Sequence, residues 1–291
     1  RIEPAFLAVK KMSVFMASRF QTETKFEQGN RFHEKTVAIT GPSLHGIGGS
    51  IAMRLAEEGA SLVLLGLERP EELLERLEGL DCKADYFHCD VADTLAATSA
   101  RDAMDEEKIE IDVLVNNAGV DWSSPFHLMA ETQWREIIEV NFAGVLRMSQ
   151  ALLPQLEKRK GVIVNISSAT GCAGAVGLAA YGASKAAVNS LTQSLAAEYA
   201  EKKVRVVGVA PALVRTPMVA PYVENVTAED WETIQRCHPL GIGLPEDVAA
   251  AVAFLASPEA RWISGVTLPM GWISHWPMPS MQNDSATPSS D

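Results

Sequence analysis

Short apolar runs alternate along the chain with longer segments in which apolar residues recur every three or four positions. Consecutive apolar residues are typical of strands that are buried on both faces, and the longer repeat is typical of amphipathic helices. The pattern predicts strands at 36–40, 61–66, 84–88, 111–116, 161–167, 203–210 and 263–269. Helices are predicted between them, the two longest at 131–158 and 178–201.

The regular alternation of strands and helices predicts the fold class. Strand–helix–strand units form parallel pairs with right-handed crossovers, and their repetition builds a sheet that is covered by helices on both faces. We therefore expect an α/β protein with a single doubly wound, Rossmann-type domain, whose central parallel sheet has about seven strands. Such domains bind their ligands at the carboxyl ends of the strands.

The two ends of the chain differ from its middle. Residues 1–34 precede the first strand and hold an apolar stretch that is too short for a secretory signal, so we assign them to an N-terminal arm. Residues 277–291 are rich in Pro, Ser, Asn and Asp, a composition that predicts a flexible tail. The folded domain is expected at 35–276.

Composition narrows the classes of partner. The formal net charge of −12 and the scarcity of Lys/Arg clusters argue against nucleic acid and anionic membranes. No apolar run approaches the ~20 residues that span a bilayer. The cysteines lack CxxC or metal-ligand spacing, which predicts reduced thiols, no metal site and a cytoplasmic protein. They are Cys82, Cys89, Cys172 and Cys237.

The most informative chemical pattern is Tyr181-Gly182-Ala183-Ser184-Lys185, which lies within the helix formers of 178–200. Residues four apart share a face of a helix, so the phenol and the ammonium can enter one site. A fixed ammonium beside a phenol favours the phenolate, which makes a general acid/base suited to alcohols and ketones. Taken alone, the pair also fits an amphipathic helix with an exposed lysine.

Together with its neighbours, this pattern resembles the short-chain dehydrogenase/reductase family over roughly residues 35–272. Seven segments carry the resemblance, among them a glycine turn after the first strand and an Asn-Asn-Ala-Gly turn after the fourth. They occur in the family's order, at 40–48, 112–119, 139–142, 162–168, 181–185, 211–217 and 245–249.

The resemblance implies an NAD(P)-dependent oxidoreductase that interconverts a small-molecule secondary alcohol and a ketone by hydride transfer. Four residues match the family's catalytic tetrad. Tyr181 is implied to exchange the proton, and Ser168, thirteen residues upstream, to hydrogen-bond the reacting oxygen. Lys185 is implied to assist the tyrosine and to hold the nicotinamide ribose, while Asn141 links Lys185 to solvent through a water.

The resemblance also implies a coenzyme site. The glycine turn would receive the pyrophosphate, because glycines let it approach the N–H groups at a helix N-terminus. Asp90 would contact the adenine, although an ordinary helix cap explains the same residue. The implied coenzyme-binding residues are Gly41, Ser43, His45, Gly46, Ile47, Gly48, Arg69, Asp90, Val91, Asn117, Ala118, Gly119, Tyr181, Lys185, Val214 and Thr216.

NADP(H) is the expected coenzyme, with NAD(H) as the alternative. NAD-specific members carry an aspartate at the end of the second strand, and this position is Gly66 here. His45 and Arg69 provide basic groups close by that can meet a 2′-phosphate. Glu68 opposes this choice if it turns inward, and is otherwise a solvated turn residue.

Several positions depart from the family pattern. Four residues, 42–45, separate the first two glycines where the family has three, which predicts a bulge and rearranged phosphate contacts. Val207 and Ala212 replace an asparagine and a glycine, and 268–272 lacks the usual aspartate. These departures could alter the substrate lid or the subunit contacts.

Three other functions are weighed. A 3-oxoacyl-carrier-protein reductase would use two arginines for its acidic carrier; Arg147 fits the first, or is simply solvated, but Ala197 occupies the second position. An enoyl reductase is disfavoured because three residues, rather than six, separate Tyr181 from Lys185. A non-catalytic nucleotide-binding regulator is disfavoured by the complete tetrad.

The substrate and the assembly are predicted only in outline. Segment 218–238 is the expected lid, and an apolar pocket for a cyclic or hydrophobic alcohol is suggested, although core packing would explain the same residues. The small and apolar residues of 131–158 and 178–201 predict a homotetramer or homodimer, since these helices pair across a two-fold axis in the family. The pocket residues are Met218, Tyr222, Trp231, His238, Trp122, Phe126 and Cys172.

Overall fold

The computed structural model describes residues 30–220 and 227–271. Its centre is one seven-stranded sheet in which every pair of neighbours is parallel, in the order β3-β2-β1-β4-β5-β6-β7. This order confirms the doubly wound α/β prediction. The strands are β1 (Thr36–Thr40), β2 (Ser61–Gly66), β3 (Ala84–His88), β4 (Val113–Asn116), β5 (Val162–Ile166), β6 (Arg205–Pro211) and β7 (Thr267–Met270).

Helices connect the strands and cover both faces of the sheet. Short 3₁₀ turns at Phe126–Leu128, Ala169–Gly171, Ala200–Lys202 and Pro258–Ala260 complete the connections. The α-helices of the described ranges are α1 (Ile47–Glu57), α2 (Glu71–Glu78), α3 (Ala96–Glu106), α4 (Glu131–Ile138), α5 (Gly144–Arg159), α6 (Ala179–Tyr199), α7 (Ala228–Cys237) and α8 (Pro245–Ala256). None of them is long and apolar enough to cross a membrane.

Two predicted boundaries need correction. The last strand was predicted at 263–269, but residues 263–266 form a turn in which the Ile263 N–H bonds to Ala260 and Gly265 has a φ of 74°. The helix predicted at 131–158 contains a π-helical segment, Glu139–Ala143, between α4 and α5. Apolar periodicity cannot distinguish a turn of apolar residues from a strand, or a single wide helical turn from a regular one.

Each face of the sheet has its own apolar core, because successive side chains of a strand point to opposite faces. In β1, Val37 and Ile39 contribute to the core under α1, α2 and α8. Ala38, between them, faces the second core, which α3, α5 and α6 cover. Fully burying one Val, Leu or Ile side chain stabilises the fold by about 1.5–3 kcal/mol.

The described chain begins before the first strand. Phe32, which sequence analysis assigned to the arm, is 1% exposed and belongs to the first core. Arg31 bonds to Glu58 at 2.5 and 2.7 Å and to Glu259 at 2.9 Å. Residues 30–34 therefore pack against the domain, while the rest of the arm and the predicted tail lie outside the described residues.

The strand order reverses between β1 and β4, so their following turns lie side by side at the carboxyl edge of the sheet. A Cβ built on Gly41, after β1, would lie 2.9 Å from the Ala118 Cα, after β4. Gly41 also has a φ of 66°, which favours glycine. This crevice is where doubly wound sheets bind their ligands.

Candidate active site

The glycine turn joins β1 to α1. Gly48 is required sterically, because a Cβ there would lie 2.4 Å from the Gly41 carbonyl oxygen, whereas a Cβ on Gly46 would make an ordinary van der Waals contact with Ser43, 3.4 Å from its Cβ. The extra residue of the turn lies between Gly41 and Gly46. There the Ser43 N–H donates to the Gly41 carbonyl, and the Ser43 carbonyl accepts from the N–H groups of Gly46 and Gly49. His45 is exposed at the outer side of this turn.

The first N–H groups of α1 are available for a ligand. Within the described residues, the Ile47 and Gly48 N–H groups have no hydrogen-bond acceptor. Both lie at the N-terminus of an 11-residue helix, where unsatisfied N–H groups and the helix dipole favour an anion.

Hydrogen bonds tie the turn after β4 to the turn after β1. The Thr40 hydroxyl accepts from the N–H groups of Asn117 and Ala118, at 2.9 and 3.0 Å. The Asn117 side-chain amide donates to the carbonyls of Thr40 and Gly41, both at 2.9 Å. Asn116 instead ties β4 to β5 through Asn165, at 2.9 Å.

The end of β2 meets both the glycine turn and β3. A Cβ on Gly66 would lie 3.2 Å from Cδ of Pro42, so the longer turn closely approaches the position where NAD-specific members carry an aspartate. The Arg69 guanidinium lies over the Tyr86 ring, 5.6 Å from its centroid, and pairs with Glu71 at 3.2 Å. Glu68 is exposed.

The turn after β3 carries Asp90 and Val91. Oδ1 of Asp90 accepts from the Ala92 N–H at 2.9 Å, a turn contact of the kind expected of a cap. Val91 is 7% exposed and packs on Gly144, where a Cβ would lie 2.9 Å from the valine side chain. The Val91 carbonyl accepts from Arg147 at 3.1 Å.

Lys185 is the central charge of the site. It is 4% exposed, its Nζ donates to the Ile166 carbonyl at 2.9 Å, and it lies 5.6 Å from the centroid of the Tyr181 ring. Burial lowers the pKa of Lys185 to about 8, although the charge of Asp121 opposes this. A Cβ on Gly119 would lie 3.5 Å from this Nζ. Three predicted site residues, Tyr181, Lys185 and Gly119, therefore lie close together here.

Asn141 lies in the π-helical segment and is fully buried. Its Oδ1 accepts from the Val120 N–H at 2.8 Å, and its Nδ2 donates to the Val120 carbonyl at 2.9 Å and to the Ser184 hydroxyl at 3.2 Å. The side chain is thus fastened to the segment after Gly119, and a Cβ on Gly119 would lie 3.3 Å from Oδ1.

Ser168 follows β5, and its hydroxyl oxygen accepts two hydrogen bonds from Thr170. The donors are the Thr170 N–H at 3.2 Å and the Thr170 hydroxyl at 3.0 Å. Because both contacts use the serine oxygen as acceptor, the Ser168 proton is left to donate elsewhere. Ser167, its neighbour, donates instead to the Lys185 carbonyl at 3.1 Å.

The segment after β6 crosses the same edge. Val214 is 6% exposed and forms a parallel bridge with Gly243. The Thr216 carbonyl accepts from the N–H groups of Val219 and Ala220, and so begins the turn into the expected lid. Of the predicted pocket residues, Tyr222 lies outside the described residues, while Trp122 and Met218 are 43% and 44% exposed.

Sequence reasoning missed two groups near the tetrad. Thr170 has no signal in the chain except its place two residues after Ser168. Asp121 follows the Asn-Asn-Ala-Gly turn by two residues. Only the fold brings its charge close enough to Lys185 to oppose the lowering of the Lys185 pKa by burial. The four cysteines are free, and burial raises the pKa of Cys82 and of Cys89 to about 11, as expected of structural thiols.

Comparison with known proteins agrees with this geometry. A family model described as short chain dehydrogenase matches residues 35–227. A 3-oxoacyl-[acyl-carrier-protein] reductase of Thermotoga maritima is 36% identical over 239 residues, which are 81% of this chain and 95% of that protein. A 3α-hydroxysteroid dehydrogenase of Mediterraneibacter gnavus is 37% identical over 238 residues, 80% of this chain and 94% of that protein.

The fold is also similar to solved structures. The crystal structure of a candidate 2-deoxy-D-gluconate 3-dehydrogenase from Agrobacterium tumefaciens, with bound NADP, has a TM-score of 0.76 and 29% identity. The match covers 84% of this chain and 97% of that one. With the family model, the relatives and the fold in agreement, the chain belongs to the short-chain dehydrogenase/reductase family of oxidoreductases.

Proposed function

We propose that the chain interconverts a hydrophobic secondary alcohol and its ketone with Tyr181, Lys185, Ser168 and Asn141, and that NADP(H) is its preferred coenzyme. The observation that carries this proposal is the buried ammonium of Lys185, 4% exposed and 5.6 Å from the centre of the Tyr181 ring. A lysine that serves only a solvated helix face would not be buried at such a cost.

Tyr181 exchanges the proton with the substrate oxygen. The nicotinamide coenzyme, when bound, supplies or accepts the hydride. The charge of Lys185 favours the phenolate of the neighbouring tyrosine, and the bond to the Ile166 carbonyl fixes the position of that charge. This arrangement lets a tyrosine act as a general acid or base in the neutral pH range.

Ser168 orients the reacting oxygen. Because its own oxygen accepts from Thr170, its proton is directed to a different acceptor, which we assign to the carbonyl or hydroxyl of the substrate. Asn141 holds the Val120 backbone beside Lys185 and, as in the family, supports a water path from the lysine to solvent.

The residues present fit a dinucleotide. The available N–H groups of Ile47 and Gly48, next to the glycine turn, suit a pyrophosphate, which approaches the backbone of a helix N-terminus. Asp90 and Val91 would border the adenine, and Asn117, Ala118 and Gly119 the ribose. Val214 and Thr216 would border the nicotinamide, with Ser43 and His45 at the phosphates.

The preference for NADP(H) rests on the end of β2. Pro42 fills the space beside Gly66, which leaves little room for an acidic side chain there. Arg69 is half-exposed over the Tyr86 ring, and the Tyr86 hydroxyl is fixed by the Gly66 carbonyl at 2.9 Å. A guanidinium at this place can bind a 2′-phosphate with paired hydrogen bonds.

The surroundings of the site favour a hydrophobic substrate. Trp122 lies three residues after Gly119, the glycine beside Lys185, and its indole N–H donates to Glu136 at 3.0 Å, which holds its ring in place. Phe126 and Met218, 76% and 44% exposed, add apolar surface. Since the similar 3α-hydroxysteroid dehydrogenase is named for a cyclic alcohol, cyclic ketones are the first substrates to test.

A carrier-protein reductase is the less favoured alternative. Arg147 would have to receive an acidic carrier, but it is only 22% exposed and already pairs with Glu139 at 2.6 Å and with the Val91 carbonyl. These contacts support a role in shaping the turn of Asp90 and Val91. They also differ from the solvated arginine that sequence analysis left open.

We further propose a homotetramer or homodimer assembled through α5 and α6. The outer face of α6 exposes small side chains, which allow the same helix of a second copy to approach closely. Sedimentation at micromolar concentration tests this, and a stable monomer would contradict it. The exposed residues of this outer face of α6 are Ala179, Ala183, Ala186, Ser190 and Ala197.

A cytoplasmic location stays a prediction.

The test of the proposed function is oxidation of NADPH with a panel of cyclic, linear and steroid ketones, and the reverse reaction with the alcohols. Turnover by the wild type and none by Tyr181→Phe is the expected result. Coenzyme preference is measured as kcat/KM for both coenzymes with one substrate. A tenfold preference for NAD(H), about 1.4 kcal/mol, would show that Glu68 rather than Arg69 faces the ribose. Binding of coenzyme without turnover of any ketone or alcohol would favour a regulatory role.

A further inference from the structure

His238 joins the end of α7 to the segment that follows β6. Its Nδ1 lies 2.7 Å from the Ile234 carbonyl oxygen, and its Nε2 lies 3.1 Å from the Leu213 nitrogen. A carbonyl only accepts and a backbone N–H only donates, so these two contacts require a neutral imidazole with its hydrogen on Nδ1. One side chain therefore satisfies a carbonyl of the last turn of α7 and fixes a backbone amide of another element.

A short turn at residues 238–243 holds both polar groups of Leu213. The turn is closed by the Gly241 N–H, which donates to the His238 carbonyl at 2.8 Å. At its far end the Gly243 N–H donates to the Leu213 carbonyl at 3.0 Å, while His238 accepts from the Leu213 N–H. Both contacts act on the backbone just before Val214.

These contacts determine where the Val214 backbone points. The Leu213 carbonyl and the Arg215 N–H both bond to Gly243, at 3.0 and 2.9 Å. Peptide groups are planar, and those of the described chain are trans, so the N–H opposite a carbonyl points the other way. The N–H and the carbonyl of Val214 are thus both directed away from Gly243, and no partner for them lies within the described residues.

We propose that His238 is a positioning residue that holds the Leu213–Val214 backbone in the orientation that receives the coenzyme carboxamide, and so links the lid helix α7 to coenzyme binding. The proposal rests on the proposed function, in which Val214 borders the nicotinamide. A donor and an acceptor on one residue match a primary carboxamide, which has an NH₂ group that donates and a carbonyl oxygen that accepts. Without Nε2, the Leu213 amide loses its partner and the Ala212–Leu213 peptide can rotate.

Three substitutions separate the two ring contacts. His238→Gln places its side-chain oxygen three bonds from Cβ, as Nε2 is, and can still accept from Leu213. His238→Asn reaches only as far as Nδ1 and keeps the contact to Ile234 alone. His238→Leu keeps neither contact, and the Asn variant carries the test if the Leu variant fails to fold.

The first measurement is hydrogen exchange of the Leu213 amide without coenzyme. We expect exchange at least tenfold faster than the wild type in His238→Asn and His238→Leu, and close to the wild type in His238→Gln. This readout depends on neither activity nor coenzyme, so it decides whether His238 holds the amide even if the proposed function is wrong.

The second measurement is the Kd of NADPH by fluorescence titration, together with kcat and the KM for NADPH. We expect Kd and KM to rise about tenfold in the Asn and Leu variants, equivalent to about 1.4 kcal/mol, with kcat changed less than twofold and with His238→Gln near the wild type. Equal exchange in all variants, or faster exchange with unchanged Kd, would overturn the inference. A wild type that binds no NADPH would instead refute the proposed function.

Discussion

Replacing Lys185 by methionine should stabilise the folded protein at neutral pH while abolishing its chemistry. Methionine keeps the length of the side chain and removes the charge. Burial lowers the pKa of Lys185 from 10.5 to about 8, which at 1.36 kcal/mol per pKa unit corresponds to a cost of about 3 kcal/mol for the charged form. The substitution also forfeits the bond from the charged Nζ to the Ile166 carbonyl, worth about 1.5–3 kcal/mol. A net gain of about 1 kcal/mol is expected at pH 7.

The gain must depend on pH with a definite sign. Between pH 8 and 10.5 the unfolded wild type holds the lysine proton and the folded wild type does not, so the free energy of unfolding of the wild type rises with pH. Below pH 8 the full cost is present, and above 10.5 it is gone. The advantage of Lys185→Met should therefore be constant below pH 8 and fall by about 3 kcal/mol between pH 8 and 10.5, where the lost hydrogen bond leaves the variant less stable than the wild type.

The assay is urea unfolding of both proteins at one concentration, from pH 7 to 10.5, with the difference in free energy taken at each pH. The thiols of Cys82, which is partly buried, and Cys89, which is buried, also titrate near the end of this range, because burial raises the pKa of each to about 11. They are common to both proteins and cancel in the difference. A difference that stays constant from pH 8 to 10.5, or that grows with pH, would refute the reasoning.

Three further substitutions test individual contacts. Tyr181→Phe should abolish turnover, because the proton donor is lost, and leave the Kd of NADPH within about twofold; undiminished kcat would contradict the mechanism. Thr170→Val should lower kcat about three- to tenfold with little change in KM, because one hydrogen bond to Ser168 is lost; an unchanged kcat would show that the contact has no catalytic role. Burial opposes ionisation of Glu58, but the hydrogen bonds from Arg31 and Arg54 outweigh it and lower its pKa. Glu58→Gln should therefore lower the free energy of unfolding by about 1–3 kcal/mol at pH 7. Urea unfolding at a series of pH values should show this deficit disappear as the pH falls through the lowered pKa of Glu58. A deficit that persists in acid would contradict this.

The sheet could be predicted from the sequence because each central strand is an uninterrupted apolar run. Leu62, Val63 and Leu64 are all fully or nearly fully buried, since helices cover both faces of β2. The local pattern of apolar residues is sufficient to predict an element when every position of that element has the same environment. It fails at residues 263–266, where apolar residues belong to a turn whose shape is set by hydrogen bonds to other elements.

The site was less accessible to sequence reasoning because main-chain groups form much of it. Lys185 is held by the carbonyl of Ile166, and Asn141 by both backbone groups of Val120. A carbonyl has no signature in a sequence, so the partners of these side chains emerge only from the fold. Thr170 shows the same limitation, because its hydroxyl acts on Ser168 through a turn that many residue types could form.

The free-energy cost of burying the charged Lys185 side chain is comparable to the stability that a few buried apolar side chains contribute. A cost of about 3 kcal/mol for the charged form equals the burial of one or two large apolar side chains. The two cores supply many such residues around the site, among them Val164 and Ile166 on β5, which lies directly under Lys185. Sites of this kind trade stability for function. The chain can therefore hold a destabilising ammonium beside Tyr181, because the same strand whose carbonyl fixes that charge is buried on both faces.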